Sequence, residues 1–201
     1  MSDLFTNSST DHNLEAPLAD KMRPQSLDEV IGQHHLLGEG APLQNMISSG
    51  IFSSLILWGP PGVGKTTIAR LLAEHSKSHF EQLSAIFTGV SDLKKVFEAA
   101  KIRRTNGHKT MIVVDEIHRF NKSQQDSFLP FLEDGTITLI GATTENPSFE
   151  LNSAILSRVQ VLVLESLTNS NLENLFERAE SVLGSQINLD LDAKKELFKQ
   201  A

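Results

Sequence analysis

Cysteine is absent from this chain of 201 residues, which excludes disulfides and thiolate-held metals. Long hydrophobic runs are absent as well. None approaches the roughly 18 apolar residues that a membrane-spanning helix needs. The N-terminal Met1-Ser2-Asp3-Leu4 has neither the basic nor the apolar region of a secretory signal, so a cytoplasmic location is expected. Positive charge is scarce. Lys and Arg number 18 against 25 Asp and Glu, a net charge of -7, and composition alone argues against a broadly basic nucleic-acid-binding protein. No internal repeat is visible.

What is present suits a globular α/β chain. The composition is 39% hydrophobic and 21% charged, and the length allows one domain, or one domain and the start of another. Residues 1–16 are rich in Ser, Thr, Asn and Asp and read as a disordered lead-in. Ser54–Trp58 is a short apolar run ending in a Gly/Pro cluster, which predicts a buried strand and a loop. Ile68, Leu71 and Leu72 share one face of a helix after that loop. Further strands are expected at Gln82–Ile86, Met111–Val114, Thr136–Gly141 and Val159–Leu164. Helices are expected around Leu93–Ala100 and over Gln124–Glu133. Strands alternating with helices predict a mainly parallel five-stranded sheet flanked by helices. After Leu164 the pattern turns helical, with an apolar stripe from Leu172 to Leu183 and a last helix from Asp192. The expected division is 17–167 for the α/β part and 168–201 for the beginning of a helical lid, the chain being a piece of a longer protein.

The segment Gly59-Pro60-Pro61-Gly62-Val63-Gly64-Lys65-Thr66 fits G-x-x-x-x-G-K-[ST] between a strand and a helix. Glycines let several N–H groups point at phosphate oxygens, and the helix start adds its positive dipole end. Lys65 is expected on the β- and γ-phosphates and the Thr66 hydroxyl on Mg²⁺, with Thr67 beside it in the same turn. The ligands expected are therefore ATP and Mg²⁺. About 50 residues on, the strand Ile112-Val113-Val114 ends in Asp115-Glu116. Carboxylates there emerge at the sheet's carboxyl edge, where ligands bind in such folds. Asp115 is expected to hold Mg²⁺ and Glu116 to polarise the attacking water, which favours hydrolysis over phosphate transfer to a second substrate. Thr143 and Thr144 would flank the loop if their strand is its neighbour. Arg158 by itself is an ordinary surface arginine.

In this order the motifs resemble the AAA+ ATPases, specifically their clamp-loader-like branch. The resemblance makes Thr144 the first choice for the residue that senses the γ-phosphate, with Thr143 the alternative. It makes Arg158 an arginine finger acting on a neighbouring subunit, and Val30 and Ile31, within Met22–Gln33, the apolar contacts of adenine. Two stretches are similar to the replication-associated recombination protein A (RarA, also called MgsA) family. They are His118-Arg119-Phe120-Asn121-Lys122-Ser123-Gln124-Gln125-Asp126 and Gly141-Ala142-Thr143-Thr144-Glu145-Asn146-Pro147-Ser148-Phe149-Glu150-Leu151-Asn152. The resemblance covers about residues 17–167 and implies an oligomeric, DNA-stimulated ATPase of stalled or damaged replication forks. Its implied partners are DNA with single-stranded regions, ends or forks, and single-strand-binding protein, in a nucleoid-associated setting. It also places a second sensor arginine beyond Ala201. Within the branch the alternatives are a Holliday-junction branch-migration motor and a clamp-loader subunit. Outside it stands a nucleotide-binding scaffold with little hydrolysis, against which the Asp115-Glu116 pair argues.

Other residues have plainer readings. His118 follows Asp-Glu-Ile as in the D-E-x-H box of helicases, yet packing or hydrogen bonding at the loop start is the expected role. His34 and His35 are adjacent and unsuited to a zinc site. Trp58 is expected in the core. Lys94, Lys95, Lys101, Arg103 and Arg104, with no aromatic among them, read first as a solvated helix face and second as a phosphate-backbone or subunit contact.

Overall fold

The structure, a computed structural model, describes residues 17–200. The expected disordered lead-in, 1–16, and Ala201 lie outside them. Ser26–Leu167 form one compact unit, and the described residues before Ser26 and after Leu167 form a second.

The first unit is built on five parallel strands: β1 (Leu55–Trp58), β2 (His79–Ser84), β3 (Thr110–Asp115), β4 (Ile137–Thr143) and β5 (Gln160–Val163). Their order is β2-β3-β4-β1-β5, so the chain leaves β1, crosses to the far edge and returns through β3 to β4 beside it. Central strands of a parallel sheet are buried on both faces. Here Leu55 and Leu57 of β1, with Met111, Val113 and Ile140, face the helix Lys65–His75 through Ile68, Leu71 and Leu72. The alternate residues Ile56, Ile112, Val114 and Leu139 face the other layer, where they meet Leu93, Phe97 and Ala100 of the helix Val90–Thr105. Strand side chains alternate between faces, so one apolar run serves both layers. Phe97 packs edge-on against Phe128, ring centroids 5.0 Å apart, and stacks on Phe131 at 4.4 Å.

Two elements depart from the sequence expectation. The single helix Gln124–Glu133 is instead two short helices, Lys122–Asp126 and Leu129–Glu133. Pro130 is the cause. It has no N–H for the carbonyl of Asp126, and its ring would collide with that carbonyl in a continuous helix. The strand expected at Gln82–Ile86 starts three residues earlier, because β2 pairs His79 to Ser84 with Thr110 to Asp115 of β3 and ends where β3 ends. As an edge strand it is largely polar and partly exposed, which hid its first half from an apolar-run criterion. Ile86 and Phe87 therefore lie in the following turn, both exposed.

The second unit is helical. Thr168 caps the helix Asn169–Leu183, its Oγ1 accepting from the Asn171 N–H at 3.3 Å, and Gly184 ends that helix in the left-handed region with φ +67°. Phe176 meets Phe198 of the helix Leu191–Gln200, their ring centroids 6.4 Å apart. The short helix Leu18–Lys21 packs against Asn169–Leu183, so residues 17–25 group with the helical unit and not, as expected, with the α/β part. No residue of 17–25 is buried, and the α/β core takes its first buried side chain at Leu27. Among the described residues no helix is long and apolar enough to cross a membrane.

Candidate nucleotide site

The loop after β1 is shaped by glycines at positions where a side chain would be strained or crowded. Gly62 and Gly64 sit at φ +80° and +96°, the left-handed region, and Gly64 is the residue from which the helix Lys65–His75 starts. Gly59 is needed for space. A Cβ there would stand 2.5 Å from the Leu164 carbonyl oxygen, because the Leu164 N–H donates to Trp58 O at 2.7 Å. On the other side the Gly59 N–H reaches Thr143 O at 3.3 Å, so the loop begins clamped between the ends of β4 and β5. The Gly59→Ala protein is expected to lose about 1–3 kcal/mol of stability through this overpacking. Urea unfolding against wild type measures it, and an unchanged midpoint would show that the clamp yields freely.

Lys65 turns into the hollow of the loop. Its side chain is buried, and Nζ donates to Gly59 O at 2.8 Å and Pro60 O at 2.6 Å. Desolvation pulls its pKa below the usual lysine value, while the carboxylates of Glu116 and then Asp115 pull it back up. Thr66, one residue on, donates Oγ1–H to Asp115 Oδ1 at 2.9 Å. Residues far apart in the chain thus present a hydroxyl and a carboxylate oxygen together at the loop's mouth. Two hard oxygen donors next to a phosphate cradle fit Mg²⁺, which takes few protein ligands and completes its shell with phosphates and water. No group of three or more His, Asp or Glu that could hold a metal occurs among the described residues.

Asp115 ends β3 and Glu116 follows at φ +53°, an unusual conformation for a residue with a side chain. Glu116 Oε2 lies 3.3 Å from His118 Nδ1, and the same nitrogen lies 2.9 Å from Thr143 Oγ1. The condition set for the two threonines is met, because β4 neighbours β1 and Trp58 pairs with Thr143. Thr143 is buried with its hydroxyl engaged by His118 and by the Glu145 backbone, whereas Thr144 follows half-buried in the bend after the strand. Pro60 and Pro61 are exposed on the loop, Val63 is buried in the core, and Thr67 is half-buried in the first helical turn.

Arg158 joins none of these bonds. It donates Nη1 to Ala154 O at 2.6 Å and to Ser157 Oγ at 2.9 Å, and Nη2 to the Glu133 carboxylate. Val30 and Ile31 follow the turn Leu27–Glu29 as half-buried residues, and Val30 packs on the layer that holds Leu36 and Ile68. That segment is fixed by its last residue, Gln33, to which the sequence assigned no role of its own. Gln33 is buried at φ +61°, donates Nε2 to Glu165 O at 2.8 Å and accepts the Glu165 N–H at 3.0 Å. No local pattern marked it, since its partner is 132 residues away.

Four of the five basic residues named on Val90–Thr105 have acidic partners within the chain. Lys95 pairs with Asp92, Lys101 with Glu98, Arg103 with Glu81 and Arg104 with Asp134. This favours the solvated face over a phosphate-backbone contact. The two stretches that carried the closer resemblance touch each other. Gln125 donates to Glu150 O at 3.0 Å and accepts the Asn152 N–H at 2.8 Å, and Asn152 donates Nδ2 to Asp126 at 2.7 Å.

Comparison with known proteins agrees with this geometry. Residues 55–167 match the model of the ATPase family associated with various cellular activities (AAA). The chain is 53% identical over 163 residues to replication-associated recombination protein A of Haemophilus influenzae, covering 81% of this chain and 36% of that protein. With the protein of that name from Escherichia coli K12 it shares 53% over 167 residues, covering 83% and 37%. It spans little more than a third of the length of these curated relatives. Among solved structures, the Thermotoga maritima RuvB Holliday junction branch migration motor superposes with a TM-score of 0.68 at 30% identity, over 82% of this chain and 55% of that one.

Proposed function

Since the chain belongs to the AAA family of ATPases, we propose that it is the nucleotide-hydrolysing part of a DNA-stimulated ATPase of replication-associated recombination, working at stalled or damaged forks. The observation that carries the ATPase reading is the meeting of Lys65, Thr66, Asp115 and Glu116 at one edge of the sheet. The replication reading is supported by the names of the relatives at 53% identity.

In this reading the loop N–H groups and Lys65 bind the phosphates, the ammonium exchanging its bonds to Gly59 and Pro60 for phosphate oxygens. Thr66 and Asp115 hold Mg²⁺, which would neutralise charge developing on the phosphates. Glu116 orients the attacking water and accepts its proton. Thr144, its hydroxyl less enclosed than that of Thr143, senses the γ-phosphate. Val30 and Ile31 contact adenine. Arg158 acts on the nucleotide of the next subunit, since its bonds within the chain lead away from Lys65 and Thr66. Residues 168–201 begin a helical lid. The whole protein is an oligomer in the cytoplasm, at the nucleoid, with DNA and single-strand-binding protein as partners.

The test is the ATPase rate of the full-length protein without DNA and with single-stranded, blunt and gapped duplex DNA. The reading expects hydrolysis in all arms and a several-fold rise with at least one DNA. Hydrolysis that no DNA alters would overturn the DNA part, and no hydrolysis in any arm would leave a nucleotide-binding scaffold. The likeness to RuvB favours a second reading, a four-way-junction motor, which movement of such junctions by the same protein would establish.

A further inference from the structure

Three side chains at the carboxyl edge of the sheet share one nitrogen. The His118 side chain is only 7% exposed, and its Nδ1 stands 2.9 Å from Thr143 Oγ1 and 3.3 Å from Glu116 Oε2. The partners decide where the proton is. A carboxylate can only accept. The Thr143 hydroxyl has a single hydrogen, and Glu145 O stands ready to take it at 3.2 Å, while the Glu145 N–H donates to the same oxygen at 3.1 Å. What Thr143 offers the ring is then a lone pair. Were the hydroxyl to donate to His118 instead, Nδ1 would face the Glu116 carboxylate as a second acceptor. The proton therefore sits on Nδ1 and is donated to the Thr143 hydroxyl, with the Glu116 carboxylate 3.3 Å from the same nitrogen.

This matters because Glu116 has little else to hold it. Its backbone is turned out of the strand at φ +53°, and its side chain is 36% exposed. The imidazole, by contrast, is seated by the turn Ile117–Arg119, where Ile117 is fully buried between the sheet and the Phe128 layer. Thr143 in turn pairs with Trp58, the residue before the phosphate loop. While so held, Glu116 still faces the site: the Lys65 ammonium feels its carboxylate more strongly than that of Asp115.

We propose that His118 is a positioning residue for hydrolysis: its ring, fixed to the end of β4 by the Nδ1–H bond to Thr143, stands against the Glu116 carboxylate and keeps it facing the Lys65 ammonium. The inference rests on the reading of Glu116 as the group that polarises water. The side chain acts on the geometry of the attack and not on nucleotide affinity, so its loss belongs to kcat and leaves KM for ATP in place.

The test uses the full-length protein with His118→Ala, His118→Asn, Glu116→Gln and the double substitution His118→Ala with Glu116→Gln. Misplacing a catalytic group by about 1 Å costs on the order of 100-fold, so His118→Ala is expected to lower kcat about 10- to 100-fold with KM within about twofold of wild type. His118→Asn, whose amide N–H can take the place of Nδ1–H, is expected to restore most of that loss. In the Glu116→Gln background His118→Ala is expected to add nothing further, because the group it positions is already gone. Wild-type kcat in His118→Ala, an equal loss in Ala and Asn, or a further loss in the double variant would each overturn the proposal. Wild-type turnover by Glu116→Gln would strike the reading of Glu116 itself, and the positioning role with it.

Discussion

Glu116→Gln is expected to bind ATP as wild type does and to lose turnover by at least about 100-fold, the usual range for removing a positioned general base. The substitution keeps the shape and an oxygen facing His118, and it leaves in place the bonds that Lys65, Thr66 and Asp115 make. What it removes is the negative charge that draws a proton from the attacking water. Ground-state contacts to the nucleotide are then unaltered while a transition-state interaction is lost, which lowers kcat and not affinity. Fluorescent-nucleotide titration and steady-state ATPase measurement on the same preparation separate the two. A tenfold loss of affinity would place Glu116 among the phosphate-binding groups instead.

Lys65→Ala is expected to do the reverse, weakening ATP binding by roughly 10- to 100-fold, as the loss of a charge-assisted contact worth about 1.5–3 kcal/mol implies. Two effects add. The ammonium no longer meets the phosphates, and the carbonyls of Gly59 and Pro60, which it holds at 2.8 and 2.6 Å, lose their shared donor. The loop that should present its N–H groups is then looser before any ligand arrives. Titration at low and high salt checks this. An affinity within twofold of wild type would mean that the loop amides and the helix start bind the phosphates unaided. Burial has already drawn the Lys65 pKa down, so its charged form gains from an incoming anion. As pH rises toward that lowered pKa the ammonium neutralises, so wild-type affinity is expected to fall at alkaline pH while that of Lys65→Ala stays level.

Much of the fold could be read without coordinates where the signal was local. The run Leu55–Trp58 followed by Gly59, Gly62 and Gly64 announces a strand, a loop and a helix, because apolar burial and positive φ are demanded by those residues themselves. The break at Pro130 was equally local and was missed only because the apolar pattern continued through it. The polar edge strand β2 was legible only in its second half, Gln82–Ser84, since its pairing with β3 and not its own hydrophobicity sets its bounds. The stretches around Asn121 and Glu145 were recognisable as a resemblance, but their contact through Gln125 and Asn152 was not.

By itself, then, the amino-acid sequence determined the chemistry on offer: a glycine loop with Lys65 and Thr66, a carboxylate pair at a strand end, two threonines and an arginine. Tertiary structure decided which of these meet. Setting β4 next to β1 brought Thr143 beside the loop, the sheet's carboxyl edge joined Thr66 to Asp115, and the turn after β3 put His118 between Glu116 and Thr143. It also turned Arg158 onto Glu133, away from the loop. The reason is physical. Strand, turn and helix propensities act over a few neighbouring residues, whereas strand order and register follow from how crossovers pack two apolar layers on one sheet, and no short stretch of sequence contains that information.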